Sequence, residues 1–313
     1  MFIQVIIQDF LNALPGAVAQ GLIWGLMAIG VYISYKILDI ADLTVDGSIC
    51  TGGCVCVVLI IAGVPAWLSI LAAFLAGMVT GVVTGLLQTA LGVPSILAGI
   101  LTQLGLYTIN LLILGKSMLG VYHGTYDLLL SASDIYGAIL ICIGVIAVVI
   151  IGLWLFFYTE VGLTLKSTGD NPDMSRAQGV NVKLNKVIGL AIANGIVALA
   201  GALLAQYKGS ANINDGRGAI VIALAAIFIG LSVSLKIKPN FVVSLIGVVG
   251  GGIVYYVIYN FVILMGLKTD YLKMLSAIIV VIFLAVPYLK EEYLQKKQAL
   301  PPEEASVGGA PNA

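Results

Sequence analysis

The stretch that organises this chain is Val161–Val182, VGLTLKSTGDNPDMSRAQGVNV, the longest polar segment in an otherwise apolar sequence. Asn171 is suited to be a helix N-cap, and Pro172 fits the first helical position, where no backbone N–H is needed. Asp173 favours the start of a helix and Gly179 favours its end. These signals predict a helix of about two turns. Because so short a helix is marginal in water, neighbouring helices or a partner protein must hold it.

The composition around this segment is that of a polytopic membrane protein. Of the 313 residues, 60% are hydrophobic and only 10% are charged, whereas soluble domains carry roughly a quarter charged residues. The formal net charge is zero, so the chain has no excess of positive charge that would attract nucleic acid. We therefore expect an all-α membrane protein without a nucleic-acid partner.

Apolar runs of about 17 to 25 residues predict transmembrane helices. We place them near 11–35, 47–64, 67–90, 94–114, 138–158, 185–206, 218–235, 241–264 and 271–289. Residues 1–289 would then form one transmembrane domain of about 8–10 helices, interrupted by the polar loop 159–184. Residues 290–313 form a polar tail.

Lysine and arginine predict the orientation, because they are retained on the cytoplasmic side. With the loop 159–184 and the tail in the cytoplasm, ten basic residues lie inside and five lie outside. The five outer ones are Lys116, Lys208, Arg217, Lys268 and Lys273. The N-terminus is then expected outside, and the chain in the cytoplasmic membrane of a bacterium.

Two patterns concern packing between helices. The two halves of the chain resemble each other weakly and are separated by an odd number of predicted spans, which indicates inverted repeats. Gly77, Gly81 and Gly85 recur every four residues, so one helix face is bare enough for another backbone to approach closely. We predict a packing seam there, although membrane helices are rich in glycine in any case.

The sequence lacks the common motifs of catalytic sites. The sequence has no G-x-S-x-G or H-E-x-x-H motif, and LGKS at 114–117 lacks the glycine that a phosphate-binding loop requires at Asn110. The four cysteines, three of them in the predicted span 47–64, are interpreted as small buried hydrophobes rather than metal ligands. We expect no enzyme activity, no metal site and no bound cofactor.

Uncharged polar residues remain at predicted membrane depth, where they could join helices or line a path for a polar solute. Asn194, Gln206 and Asn212 are our candidates for the path, chosen by polarity and place. For any one of them, hydrogen bonding between helices is the alternative.

The polar segment and the helix after it resemble the membrane permeases of bacterial ABC importers of the branched-chain amino acid and ribose class. The agreement lies at Gly162, Leu163, Gly169, Asn171, Pro172, Gly179, Val180 and the run Ala200–Leu203, while Ser175 stands where alanine is common. DLTVDGS and SILAGILTQLGLYTINLLILGKS resemble a sub-branch linked to tryptophan or tyrosine uptake.

This resemblance implies a type II importer fold, in which two permease copies assemble with two cytoplasmic ATPase subunits and an extracytoplasmic solute-binding protein. ATP would bind the partner subunit. Pro172–Gln178 would be the coupling helix, with Asp173 and Arg176 contacting the ATPase, and Gly169, Asn171 and Gly179 framing the helix. Branched-chain amino acids, sugars or nucleosides remain alternative substrates, and an ATP-independent facilitator remains an alternative mechanism.

Overall fold

In a computed structural model of the chain, the structure describes residues 2–122, 124–234 and 240–264, together with 278, 281 and 285. It is an all-α protein, as predicted. The helices are α1 Phe2–Tyr32, α2 Val45–Ile61, α3 Ala66–Thr89, α4 Ser95–Leu114, α5 Ile135–Phe157, α6 Glu160–Asp170, α7 Pro172–Ala177, α8 Val182–Lys208, α9 Ala219–Ser234 and α10 Phe241–Leu264. A π-helical turn, Ile33–Ile37, extends α1.

Six helices among the described residues are long and apolar enough to cross a membrane, namely α1 with its π-helical turn, α3, α4, α5, α8 and α10. Two shorter apolar helices, α2 and α9, occupy the remaining predicted spans within this part of the chain. The predicted span 271–289 lies outside the described residues, apart from three positions, as does the tail 290–313.

Packing around α8 gives the helix bundle two distinct ends. The first, called the α7 end, contains α6, α7 and the start of α8. The second, called the sheet end, contains the antiparallel pair β1 Met118–Gly120 and β2 Ser210–Asn212. Gly16 of α1 lies beside Tyr207 and Gly30 beside Val197, so α1 runs antiparallel to α8 and reaches the α7 end.

The two short helices begin inside the bundle instead of at its surface. Ser48, in the first turn of α2, contacts Asn194, which lies about 18 Å from the start of α8 and about 21 Å from its end at 1.5 Å per residue. From there α2 runs to the sheet end, since Gln206 of α8 contacts Cys56. The start of α9 lies beside Asp46, and α9 runs the opposite way, because Phe228 lies near Tyr35. Two short helices of opposite direction are what inverted repeats produce.

The core is centred on α8, which packs against α1, α2 and α3. Backbone contact is close because small residues face it. A Cβ on Gly81 or Gly52 would overlap the carbonyl oxygen of Leu190 or Ala198 of α8, respectively. In a membrane, where lipid is as apolar as leucine, such close contact between backbones stabilises the association of helices.

Candidate functional site

The short helix predicted in the polar segment is present as α7. Asn171 is its N-cap, and its Oδ1 accepts a hydrogen bond from the backbone N–H of Met174 at 3.0 Å. Pro172 occupies the first turn. Beyond the helix, Gly179 has φ +83°, a left-handed conformation that favours glycine. The local sequence therefore determines both where α7 begins and where the chain turns after it.

Few contacts attach α7 to the bundle. Ser175 is the buried residue of the helix, and its hydroxyl donates to the Ser167 hydroxyl of α6 at 3.2 Å. Helix α6 in turn packs closely on the end of α1, because a Cβ on Gly169 would overlap the carbonyl oxygen of Ile37. Asn185 of α8 donates to Thr168 at 3.0 Å. A load on α7 would thus reach α1 and α8 through α6.

The outer face of α7 carries two charged residues and one large apolar residue. The Arg176 guanidinium and the Asp173 carboxylate lie 3.3 Å apart, with 68% and 89% of their side chains exposed. Such an exposed pair contributes little to stability, about 0–1 kcal/mol. Met174 beside them is 60% exposed. This face is accessible to a partner protein.

Asn194, predicted for the solute path, is fully buried within a hydrogen-bonded polar cluster. Its Nδ2 donates to Asp42 Oδ2 at 2.7 Å, and its Oδ1 accepts from the Ser48 hydroxyl at 2.7 Å. Ser48 also contacts Thr80 of α3 at 2.7 Å. Asp42 further accepts from the backbone N–H of Thr44 at 2.9 Å. The cluster therefore joins the chain before α2, α2 itself, α3 and α8 near the middle of the bundle.

The other two predicted path residues lie elsewhere. Gln206 is buried near the sheet end, where it donates to Cys56 Sγ at 3.3 Å and accepts from Leu129 N at 3.1 Å. Asn212 lies in β2, and its Oδ1 accepts from Asn214 N at 2.9 Å. The structure does not bring these side chains together with Asn194, and their place in a solute path stays a prediction.

Gly77, Gly81 and Gly85 all face α8. A Cβ on Gly77 would meet Asn194 and Ala198, one on Gly81 would meet Leu190, and one on Gly85 would lie 2.9 Å from Val187 Cα. The three glycines thus form a seam within the chain, between α3 and α8.

A cavity of about 410 Å³ opens beside the starts of α2 and α9. One wall is a face of α4 carrying Gln103, Tyr107 and Asn110, and the opposite wall includes Asp46 and Arg217. The volume is in the range of small-molecule sites, about 300–1,000 Å³. Charged and amide groups at this depth of an apolar bundle indicate a function, because they are costly there without one.

Comparison with known families identifies the chain. Residues 14–284 match the family described as branched-chain amino acid transport system / permease component. The chain belongs to this family. It is thus a permease component of a transport system, a multi-pass protein of the cytoplasmic membrane, and a transport subunit rather than a catalytic enzyme.

Individual relatives agree with this assignment. The permease is 33% identical over 275 residues to a tyrosine transport system permease protein of Clostridioides difficile, covering 88% of this chain and 91% of the relative. It is 31% identical over 286 residues to an uncharacterized protein of Rickettsia prowazekii, covering 91% and 100%. A xylose transport system permease protein of Haemophilus influenzae matches over 81 residues at 35% identity, covering 26% and 22%. No solved structure matches the permease.

The cavity is the feature that our sequence reasoning missed. Gln103, Tyr107 and Asn110 follow the spacing i, i+4, i+7, which places them on one face of a helix. That spacing was a usable signal on α4. Nothing local could have placed Arg217 opposite, because it precedes α9 by two residues and lies more than a hundred positions away.

Proposed function

We propose that the permease is the membrane subunit of an ATP-driven importer for an aromatic amino acid such as tyrosine or tryptophan. Its family membership supports an importer subunit, and the tyrosine transport permease among its relatives supports the substrate class. ATP binds a separate cytoplasmic ATPase, a solute-binding protein delivers the substrate outside, and a second permease copy completes the transporter.

The observation that carries the proposal is α7 itself. A capped six-residue helix with an exposed face of Asp173, Met174 and Arg176 has no stabilising role in the bundle that would explain its charges. The distribution of basic residues favours a cytoplasmic location for α7. Leaving Arg217 aside, five of the described basic residues lie at the α7 end and two at the sheet end. The five are Lys36, Lys166, Arg176, Lys183 and Lys186, and the two are Lys116 and Lys208. The α7 face is therefore available to an ATPase subunit.

On this mechanism, ATP-driven closure of the ATPase pair displaces α7. The displacement passes through Ser175 and Ser167 to α6, and from Gly169 to the end of α1. Because α7 binds one conformation of the ATPase more tightly than the other, a change in the ATPase shifts the permease between outward-facing and inward-facing states. The contacts of α6 would thus convert a displacement of α7 into a movement of transmembrane helices.

The test is uptake by liposomes that hold the permease with its candidate ATPase and solute-binding protein, with tyrosine, tryptophan, leucine and ribose as substrates. We expect ATP-dependent uptake of tyrosine or tryptophan, and we expect Arg176→Glu to abolish it. A second readout is whether the ATPase co-purifies with the permease, which Arg176→Glu should reduce. The control is Lys116→Glu, the same charge reversal at a residue exposed at the sheet end, and it should leave co-purification of the ATPase unchanged.

Exchanging the two charges makes the test sharper. The double variant Asp173→Arg, Arg176→Asp retains an ion pair within α7, so it should fold normally. If α7 docks on the ATPase, the exchange should still reduce co-purification and uptake. Normal coupling in this variant would contradict the docking role, and uptake without ATP would favour a facilitator.

A further inference from the structure

The starts of α2 and α9 are joined by one carboxylate. Asp46, in the first turn of α2, accepts hydrogen bonds from the backbone N–H groups of Gly218 and Ile220 at 2.9 Å each. Gly216 packs against the Asp46 carbonyl oxygen, where a Cβ would not fit. Asp46 is thereby committed to the start of α9, and its charge faces the positive end of that helix dipole.

Arg217, unlike Asp46, has a charged group that is not paired within the described residues. Its side chain lines the cavity, it is exposed, and no carboxylate lies within 4 Å of it among the residues that the structure describes. With Asp46 engaged by backbone donors, the cavity presents an available guanidinium. A planar guanidinium with five N–H donors matches a carboxylate in a bidentate arrangement.

The α4 wall supplies complementary groups. Asn110 lines the cavity, is 1% exposed, and its Oδ1 has no hydrogen-bond partner within the described part of the chain. A buried amide oxygen without a donor is costly. Tyr107, one turn earlier on the same wall, is 42% exposed and offers a ring face.

We propose that this cavity is a binding site for an aromatic α-amino acid on its way through the permease. Arg217 binds the substrate carboxylate, Asn110 Oδ1 accepts a hydrogen bond from its ammonium group, and the Tyr107 ring packs against its aromatic side chain. The inference rests on the proposed function and adds to it a specific site at the junction of the two short helices α2 and α9, near the middle of the bundle, where transporters commonly hold their substrates.

The test measures tyrosine and tyramine binding by equilibrium dialysis to the full-length permease with its ATPase in lipid nanodiscs. The solute-binding protein is left out so that its own selectivity does not contribute. Tyramine lacks the carboxylate, so the wild-type permease should bind it roughly tenfold or more weakly than tyrosine. Arg217→Gln should weaken tyrosine binding by a similar factor and remove the preference over tyramine, while Arg217→Lys should retain part of it.

Lys116→Gln is the matched control, because Lys116 is an exposed cation outside the cavity, and it should bind both ligands as the wild type does. A tyrosine preference retained in Arg217→Gln would overturn the site. A wild-type permease that transports tyrosine in liposomes yet binds tyrosine and tyramine equally would also overturn it, with the proposed function intact. Absence of ATP-dependent uptake by the wild-type complex would instead contradict the proposed function.

Discussion

Helix α7 and the polar cluster around Asn194 both contain side-chain hydrogen bonds, yet these bonds are organised in opposite ways. The side-chain hydrogen bonds within α7 join residues three positions apart, such as Asn171 with Met174, and they are exposed. The buried cluster joins Asn194 with Asp42 across 152 positions and with Ser48 across 146. The difference shows that α7 is specified by the local sequence, whereas the cluster exists only in the folded bundle.

Disrupting the seam between α3 and α8, which packs beside the buried cluster at Asn194, should have the largest effect. Gly81→Val places a branched side chain against the backbone of Leu190, which cannot move aside as a flexible side chain could. Because overpacking typically costs about 1–3 kcal/mol and occasionally more, we expect a loss near the upper end of that range. Thermal unfolding of the purified permease in detergent measures it.

Gly105→Val is the control for this substitution. Gly105 is also inside a transmembrane helix, but a Cβ there meets no atom within 4 Å. Its unfolding temperature should stay near that of the wild type. Equal destabilisation of both variants would mean that the seam between α3 and α8 has no special role.

Removing the centre of the cluster should have an intermediate effect. Asn194→Leu leaves the buried Asp42 Oδ2 without its amide donor, whereas Ser48 keeps its contact with Thr80. An unsatisfied buried polar group costs about 1–3 kcal/mol. The double variant Asp42→Ala, Asn194→Leu should lose less than the two single variants together, since neither partner is then left alone. Strict additivity in this double-mutant cycle would show that the two side chains do not interact.

The exposed side should respond least. Asn171→Ala removes the N-cap of α7, where a cap is worth about 0.5–2 kcal/mol, but only the local helix depends on it. We expect faster amide hydrogen exchange over 173–178 with little change in the global unfolding temperature. Asn181→Ala, which removes the equivalent cap of α8, should leave exchange in α7 unchanged, and the same increase in both variants would contradict the assignment.

Much of the fold could be predicted from sequence because it depends on local composition. The long apolar runs gave the transmembrane helices, and the cap Asn171 with Pro172 and Gly179 gave α7 almost to the residue. Ser175, a departure from the family pattern, could not be interpreted in this way. Its hydroxyl contact with Ser167 depends on how α6 and α7 pack.

Less of the candidate site than of the fold could be predicted from the sequence. Polarity and place along the chain selected Asn194, Gln206 and Asn212, but neither distinguishes a side chain that binds solute from one that joins helices. The structure gives Asn194 and Gln206 partners from other parts of the chain. The cavity instead contains Tyr107 and Arg217, whose proximity depends on where α9 begins.

By itself, the sequence determined that this protein is a helical membrane protein with a short polar helix at its surface, because hydropathy, capping and charge act over a few residues. Only the tertiary structure decided that α2 and α9 begin in the middle of the bundle, that Asp46 joins them, and that Arg217 remains available beside Asn110. Those features require contacts between distant segments, and they form only when glycine faces let the helices pack closely.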